Sequence, residues 1–126
     1  MGATTFQDSG RTFTATAVAI DAYSLVALDS SGTISVAGDN ATDNVIGVTT
    51  EDIAASGNGN VRFLNASGSS EMLAGGDTIA VGDTVYTDGS GKVGTDTSNT
   101  KIGYALGASS ADGDVIEVIN FFHLIA

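Results

Sequence analysis

The sequence predicts an all-β protein, a small Gly/Thr-rich β-barrel or β-sandwich, on three observations. Apolar residues alternate with period two: Phe13, Ala15, Ala17 and Ala19 fall on one face, Thr14, Thr16, Val18 and Ile20 on the other. Short apolar runs are bounded by clusters of Gly, Asp, Asn and Ser, residues that tolerate positive φ or bond their own backbone. Gly, Ala, Thr and Ser make up about half of the 126 residues, so backbones approach closely and the larger apolar side chains suffice for one lean core.

Taken in order, the strand-like runs are Arg11 to Ile20, Ser24 to Leu28, Thr33 to Val36, Val45 to Thr50, Val61 to Leu64, Thr84 to Thr87, Ile102 to Leu106 and Val115 to Ile119. The turns between them include Asp29-Ser30-Ser31-Gly32, Gly57-Asn58-Gly59-Asn60, Asp88-Gly89-Ser90-Gly91 and Asp112-Gly113-Asp114. An internal repeat runs through this order. Val26, Asp29, Gly32 and Ile34 recur 59 positions later as Val85, Asp88, Gly91 and Val93, Ile46-Gly47 recurs as Ile102-Gly103, and Gly59 with Val61 recurs as Gly113 with Val115. Two related half-barrels of about 55 residues sharing one core are expected, with chance likeness among Gly/Asp hairpins as the competing reading. The expected organisation is an extended N-terminal arm over 1–12, a single β domain over 13–120 with the repeat at about 22–63 and 81–119, and an apolar C-terminal tail over 121–126. No proline is present to blunt sheet edges, so edges are expected to be closed, covered or paired.

Composition excludes several function classes. Without Cys there is no disulfide, Cys-based zinc site or thiol nucleophile, and the single His123 leaves little for a His-based triad or metal site. Four basic residues, Arg11, Arg62, Lys92 and Lys101, stand singly against fifteen acidic ones for a net charge of −11. Scattered cations cannot displace a counterion atmosphere, so neither nucleic acid nor anionic membrane is an expected partner. The N-terminus shows no signal-peptide pattern and no run reaches the length of a spanning helix, so a soluble protein made in a cytoplasm is expected.

The motifs that resemble chemistry read better as turns. Gly89-Ser90-Gly91-Lys92-Val93-Gly94 fits G-x-G-x-x-G, but the polar run after it has no apolar helical face to aim amides at a phosphate. Gly107-Ala108-Ser109-Ser110-Ala111 misses the nucleophile elbow at its last position. Asp29, the Asp39 to Asp43 segment and Asp112/Asp114 offer oxygen ligands without a calcium-loop spacing. Glu51-Asp52 and Asp112/Asp114 are the closest acid pairs, in a chain with no Trp to line a sugar cleft. No catalytic residue, cofactor or metal is expected.

Both chain ends are candidate contacts. Phe121-Phe122-His123-Leu124-Ile125 is apolar where chain ends are ordinarily polar, which implies burial either as a last strand in the chain's own core or against a neighbouring subunit; adjacent apolar residues on a strand point to opposite faces, so only one set can enter the chain's own core. Phe6, Arg11 and Phe13 punctuate a Thr-rich extended arm suited to adding a strand to a neighbouring sheet, with a disordered leader as the competing reading.

Beyond these residues, the run from Leu73 to Tyr86, with Ile79-Ala80-Val81-Gly82-Asp83-Thr84-Val85-Tyr86 at its end, resembles the "I-x-x-G-D-x-V-Y" segment of the phage capsid cement, or head decoration, proteins. Gly91-Lys92-Val93, then Lys101-Ile102-Gly103-Tyr104-Ala105, then Gly113-Asp114-Val115-Ile116-Glu117-Val118 are similar to the succession that follows in that family, although Gly94 stands where its "V-T" has Thr. Upstream, Ile46-Gly47-Val48 resembles the family's "G-V" strand start, and Ala22-Tyr23 stands where "G-D" is usual. The resemblance implies a non-catalytic virion protein on the outer capsid surface that binds the major capsid protein, bridges neighbouring capsomers and forms a homo-oligomer, a trimer first among the choices. The alternative is a receptor- or glycan-binding β module of a phage fibre or cell-surface structure, for which Tyr23, Tyr86 and Tyr104 are the aromatic candidates.

Overall fold

The computed structural model describes residues 9–38 and 44–120, and within them it is built of strands. They are β1 (Gly10–Ala15), β2 (Leu25–Leu28), β3 (Thr33–Val36), β4 (Val45–Thr49), β5 (Asn58–Phe63), β6 (Ser69–Leu73), β7 (Thr84–Thr87), β8 (Val93–Gly94), β9 (Lys101–Ala105) and β10 (Val115–Asn120). The first five close into a barrel in the order β1-β3-β2-β4-β5, and the last five form a sheet in the order β6-β10-β9-β7-β8. The all-β expectation holds. Alternation places Phe13 and Ala15 inside the first barrel, but β1 ends there, and Ala17, Val18 and Ala19 are exposed before Ile20 bridges to Ile53. β6 was not among the expected strands, whereas β8 is the return strand that the repeat implied at Val93. Ser69-Ser70-Glu71 has the composition of a loop, and it is extended because β10 supplies its ladder from Ser69–Ile119 to Leu73–Val115. β1 begins at Gly10 and pairs with β5 from Gly10–Arg62 to Thr14–Asn58, so residues 10–12 belong to the barrel wall.

Pairing in the first half recurs in the second. The parallel contact Ala15–Ile34 has its counterpart in Ala74–Val93, and the bridge Ile20–Ile53 in Ile79–Ser109. β2 and β4 shift register between Val26 and Ala27, and β7 and β9 shift between Val85 and Tyr86. Each hairpin turn is fixed by an Asp carboxylate that accepts amides two and four residues on: Asp29 from Ser31 and Thr33, Asp88 from Ser90 and Lys92. Two details of the sequence alignment need correction. β5 maps onto β10 with Asn58 on Val115 and Arg62 on Ile119, three residues out of step with the Gly59–Gly113 match; look-alike Gly/Asn/Asp turns misled the spacing. The Gly82-Asp83 position is met in the first half by Tyr23-Ser24 rather than Ala22-Tyr23, because the Tyr23 amide donates to Thr49 as the Gly82 amide donates to Ala105. Tyr23 accordingly takes a left-handed φ of 65°, against 92° at Gly82.

Two cores form where one shared core was expected. Phe13, Ala15, Ile20, Val26, Ile34, Ile53 and Val61 fill the first barrel. The second core contains Met72, Ile79, Val85, Ile102, Ile116 and Val118, and it extends across the junction to Leu25, Ala37, Val45, Val48 and Leu64 of the first half. Leu25 shows why: it alternates with Val26 on β2, and Val26 fills the first barrel, so Leu25 faces the second half. The β7–β8 turn locks the junction: Gly91 accepts from the Leu25 amide at 2.7 Å and donates to the Ala37 carbonyl at 3.0 Å. Gly91 has φ +81°, and a Cβ there would lie 3.0 Å from that of Val36. Closure removes the edges of the first barrel, and the Ala74–Val93 bridge ties the two ends of the second sheet together.

Candidate interaction surface

The predicted contact residues separate. Arg11 is exposed on β1 with its guanidinium 4.4 Å from the centre of the Phe13 ring. Phe13 is a core residue, not a contact residue: it is 7% exposed and meets Phe63 edge-on at 6.1 Å. It turns inward because β1 is held on both sides, by β3 and β5, rather than extending as a free arm. Phe6, Phe121, Phe122, His123, Leu124 and Ile125 lie outside the described residues.

The candidate chemical motifs are structural. Gly89 to Gly94 forms the turn and return strand of the β7–β8 hairpin. Ser109 of the near-elbow is buried, and its hydroxyl has no hydrogen-bond partner among the described residues. Turn carboxylates are occupied by their own backbone: Asp114 accepts from the Ser110 and Ala111 amides, Asp52 from Ala22 and Glu51 from Asn60. Asp112 is paired with Lys92 at 3.0 Å. Hydrogen bonds from the Thr33 hydroxyl and amide, with those of Ser31 and Gly32, hold the Asp29 carboxyl below its ordinary value; the Ser98 amide and hydroxyl do the same for Asp96. Among the described residues no three His, Cys, Asp or Glu side chains are grouped to hold a metal ion, and no helix is long and apolar enough to cross a membrane.

A cleft of about 630 Å³ opens where the two halves meet. One wall is Tyr23, Thr50 and Arg62 of the first half, the other Ser69, Glu71 and Glu117 of the second. Arg62 is fixed at the base, donating from Nε to the Ser70 hydroxyl at 3.1 Å and from Nη2 to the Ser67 carbonyl at 2.5 Å. Glu71 and Glu117 are direct partners across β6 and β10, both exposed, and Glu117 accepts from the Ser69 hydroxyl. Like charges set opposite each other on neighbouring strands repel, yet no ion pair joins either carboxylate to a cation among the described residues. Sequence reasoning missed this pair because the two residues are distant in sequence and meet only through the β6–β10 ladder.

A family model described as phage cement protein matches residues 6–119, nearly the whole chain. The chain belongs to the phage cement protein family. The match spans both halves of this cement protein, from the start of β1 into β10. The cement protein is also similar in structure to the N base of head fiber gp8.5 of bacteriophage phi29, with 25% identity, a TM-score of 0.69, and coverage of 88% of this chain and 93% of that one. No curated protein sequence matches it. These findings make it a structural phage virion protein.

Proposed function

We propose that this cement protein binds the major capsid protein on the outer surface of the mature shell, bridges neighbouring capsomers as a homotrimer, and performs no catalysis. The family match over residues 6–119 carries the reading. The chemistry of the chain supports it: several turn carboxylates are spent on backbone amides, and the chain carries a net charge of −11. A protein that binds only the mature shell stabilises it by mass action. Co-sedimentation with expanded, undecorated shells of the source phage, with unexpanded procapsids as control, tests the proposal. Saturable binding to expanded shells, together with a raised shell melting temperature, is expected; protein left in the supernatant with both would overturn it.

A second reading, a glycan-binding module, draws on the Tyr23-lined cleft and the head fiber neighbour. It predicts low-micromolar binding on a glycan array and no binding to shells.

A further inference from the structure

Outward-facing positions of β10 and its neighbours carry an apolar surface that the fold does not require. Val115 and Ile119 are 43% and 40% exposed, and Tyr104 and Leu106 on the β9 side are each 45% exposed. Pairing places them on one face: Ile119 lies opposite Tyr104, Val115 opposite Leu73, and the Leu106 amide donates to the Glu117 carbonyl. Glu117 and Glu71 stand side by side within this apolar frame and form one wall of the junction cleft.

The first half supplies an internal control. Its β5 residues at the positions of Val115, Glu117 and Ile119 are Asn58, Asn60 and Arg62, and Thr14 stands where the second half has Leu73. The outward positions of β5 are polar where those of β10 carry Val115 and Ile119, while beside them Val48, buried at the junction, stands where Tyr104 is exposed. A solvent-facing strand position gains nothing from Val or Ile unless something covers it. Whatever covers it also meets two adjacent carboxylates with no cation paired to them among the described residues, in a chain of net charge −11. Charge complementarity therefore selects a basic occupant over a second acidic copy of the chain.

We propose that the outward face of β6, β10 and β9 is the docking surface for the shell protein, taking an apolar patch whose Lys or Arg side chain lodges between Glu71 and Glu117. This inference rests on the shell-binding reading above and names its contact. Apolar contact excludes water around the charged pair, which strengthens the attraction at the centre, and a cation there also relieves the Glu71–Glu117 repulsion.

Two variants test it by co-sedimentation with expanded shells at low and high salt. Val115→Asn/Glu117→Asn/Ile119→Arg installs the first half's residues at solvent-facing positions, and a thermal melt verifies its fold. Glu71→Gln/Glu117→Gln removes only the charge. The triple variant is expected to bind about tenfold more weakly or worse, and the Gln pair to lose most of the salt dependence of wild-type binding. Wild type that binds while both variants match it would overturn this surface and leave the shell-binding reading intact. A triple variant that keeps shell binding but changes its sedimentation mass would also overturn it, by making the face a contact between copies. Wild type that fails to bind would overturn both readings.

Discussion

Ile53 and Gly59 fill one space together. A Cβ on Gly59 would lie 2.3 Å from Cγ1 of Ile53, so the first barrel sets a large side chain against none. The second half reverses the sizes at the matching positions, with Ser109 where Ile53 stands and Ile116 where Gly59 stands. Volume is kept while its source changes strand, as close packing requires. Gly59→Ala alone is expected to overpack the site and cost about 1 to 3 kcal/mol. Ile53→Ala alone is expected to leave a void costing about 2 to 5 kcal/mol. The double variant should be more stable than the sum by about 1 kcal/mol, as a urea-denaturation double-mutant cycle would report; additive losses would contradict the pairing. This exchange was not legible in the sequence, where Ser109 sits in a near-elbow motif and Gly59 in a run of turn residues. The Phe13 ring was misplaced for a related reason: nothing local reveals that β1 closes a barrel against β3.

At the scale of elements, hairpins and close-packed strands govern stability. Asp29 and Asp88 were legible because their carboxylates act within four residues of sequence. β6 was not, since its extended form comes from β10, and neither was Tyr23, whose left-handed φ falls on a residue that gives no turn signal. The hydrogen bonds that hold the Asp29 and Asp96 carboxyls low make a stated pH dependence. Near and below the ordinary Asp value of about 3.9 the unfolded chain binds more protons than the folded one, so stability falls as pH falls through that range and is flat above it. Melting temperature should hold from neutral pH to about 5 and then drop, with a shallower drop for Asp29→Asn/Asp96→Asn. An unchanged acid limb would remove these turns from the account. Gly47 and Gly103 occupy matching positions where β4 meets β5 and β9 meets β10, and a Cβ on either would lie 2.2 Å from a carbonyl oxygen across the ladder. Gly103→Ala is expected to cost about 2 to 3 kcal/mol by thermal or urea denaturation. Gly113→Ala, with φ +92° and open space around it, should cost about 1 kcal/mol from backbone alone.

The whole molecule is two copies of one strand pattern joined into a single unit. Five side chains of the first half complete the second core, and the Gly91 turn bonds to the first half's backbone, so one cooperative unfolding transition follows. The second half keeps its apolar interior and carries Val115 and Ile119 beside two carboxylates where β5 has Asn58 and Arg62. The alternation in Val115-Ile116-Glu117-Val118-Ile119 already shows apolar residues on both faces of the strand, and its meaning emerges only beside the polar β5 counterpart. Cryo-electron microscopy of expanded shells saturated with the protein tests the proposed docking face most directly. The account predicts ordered density on the outer surface with the β6–β10–β9 face against the shell; density with that face turned to solvent, or no density at all, would contradict it.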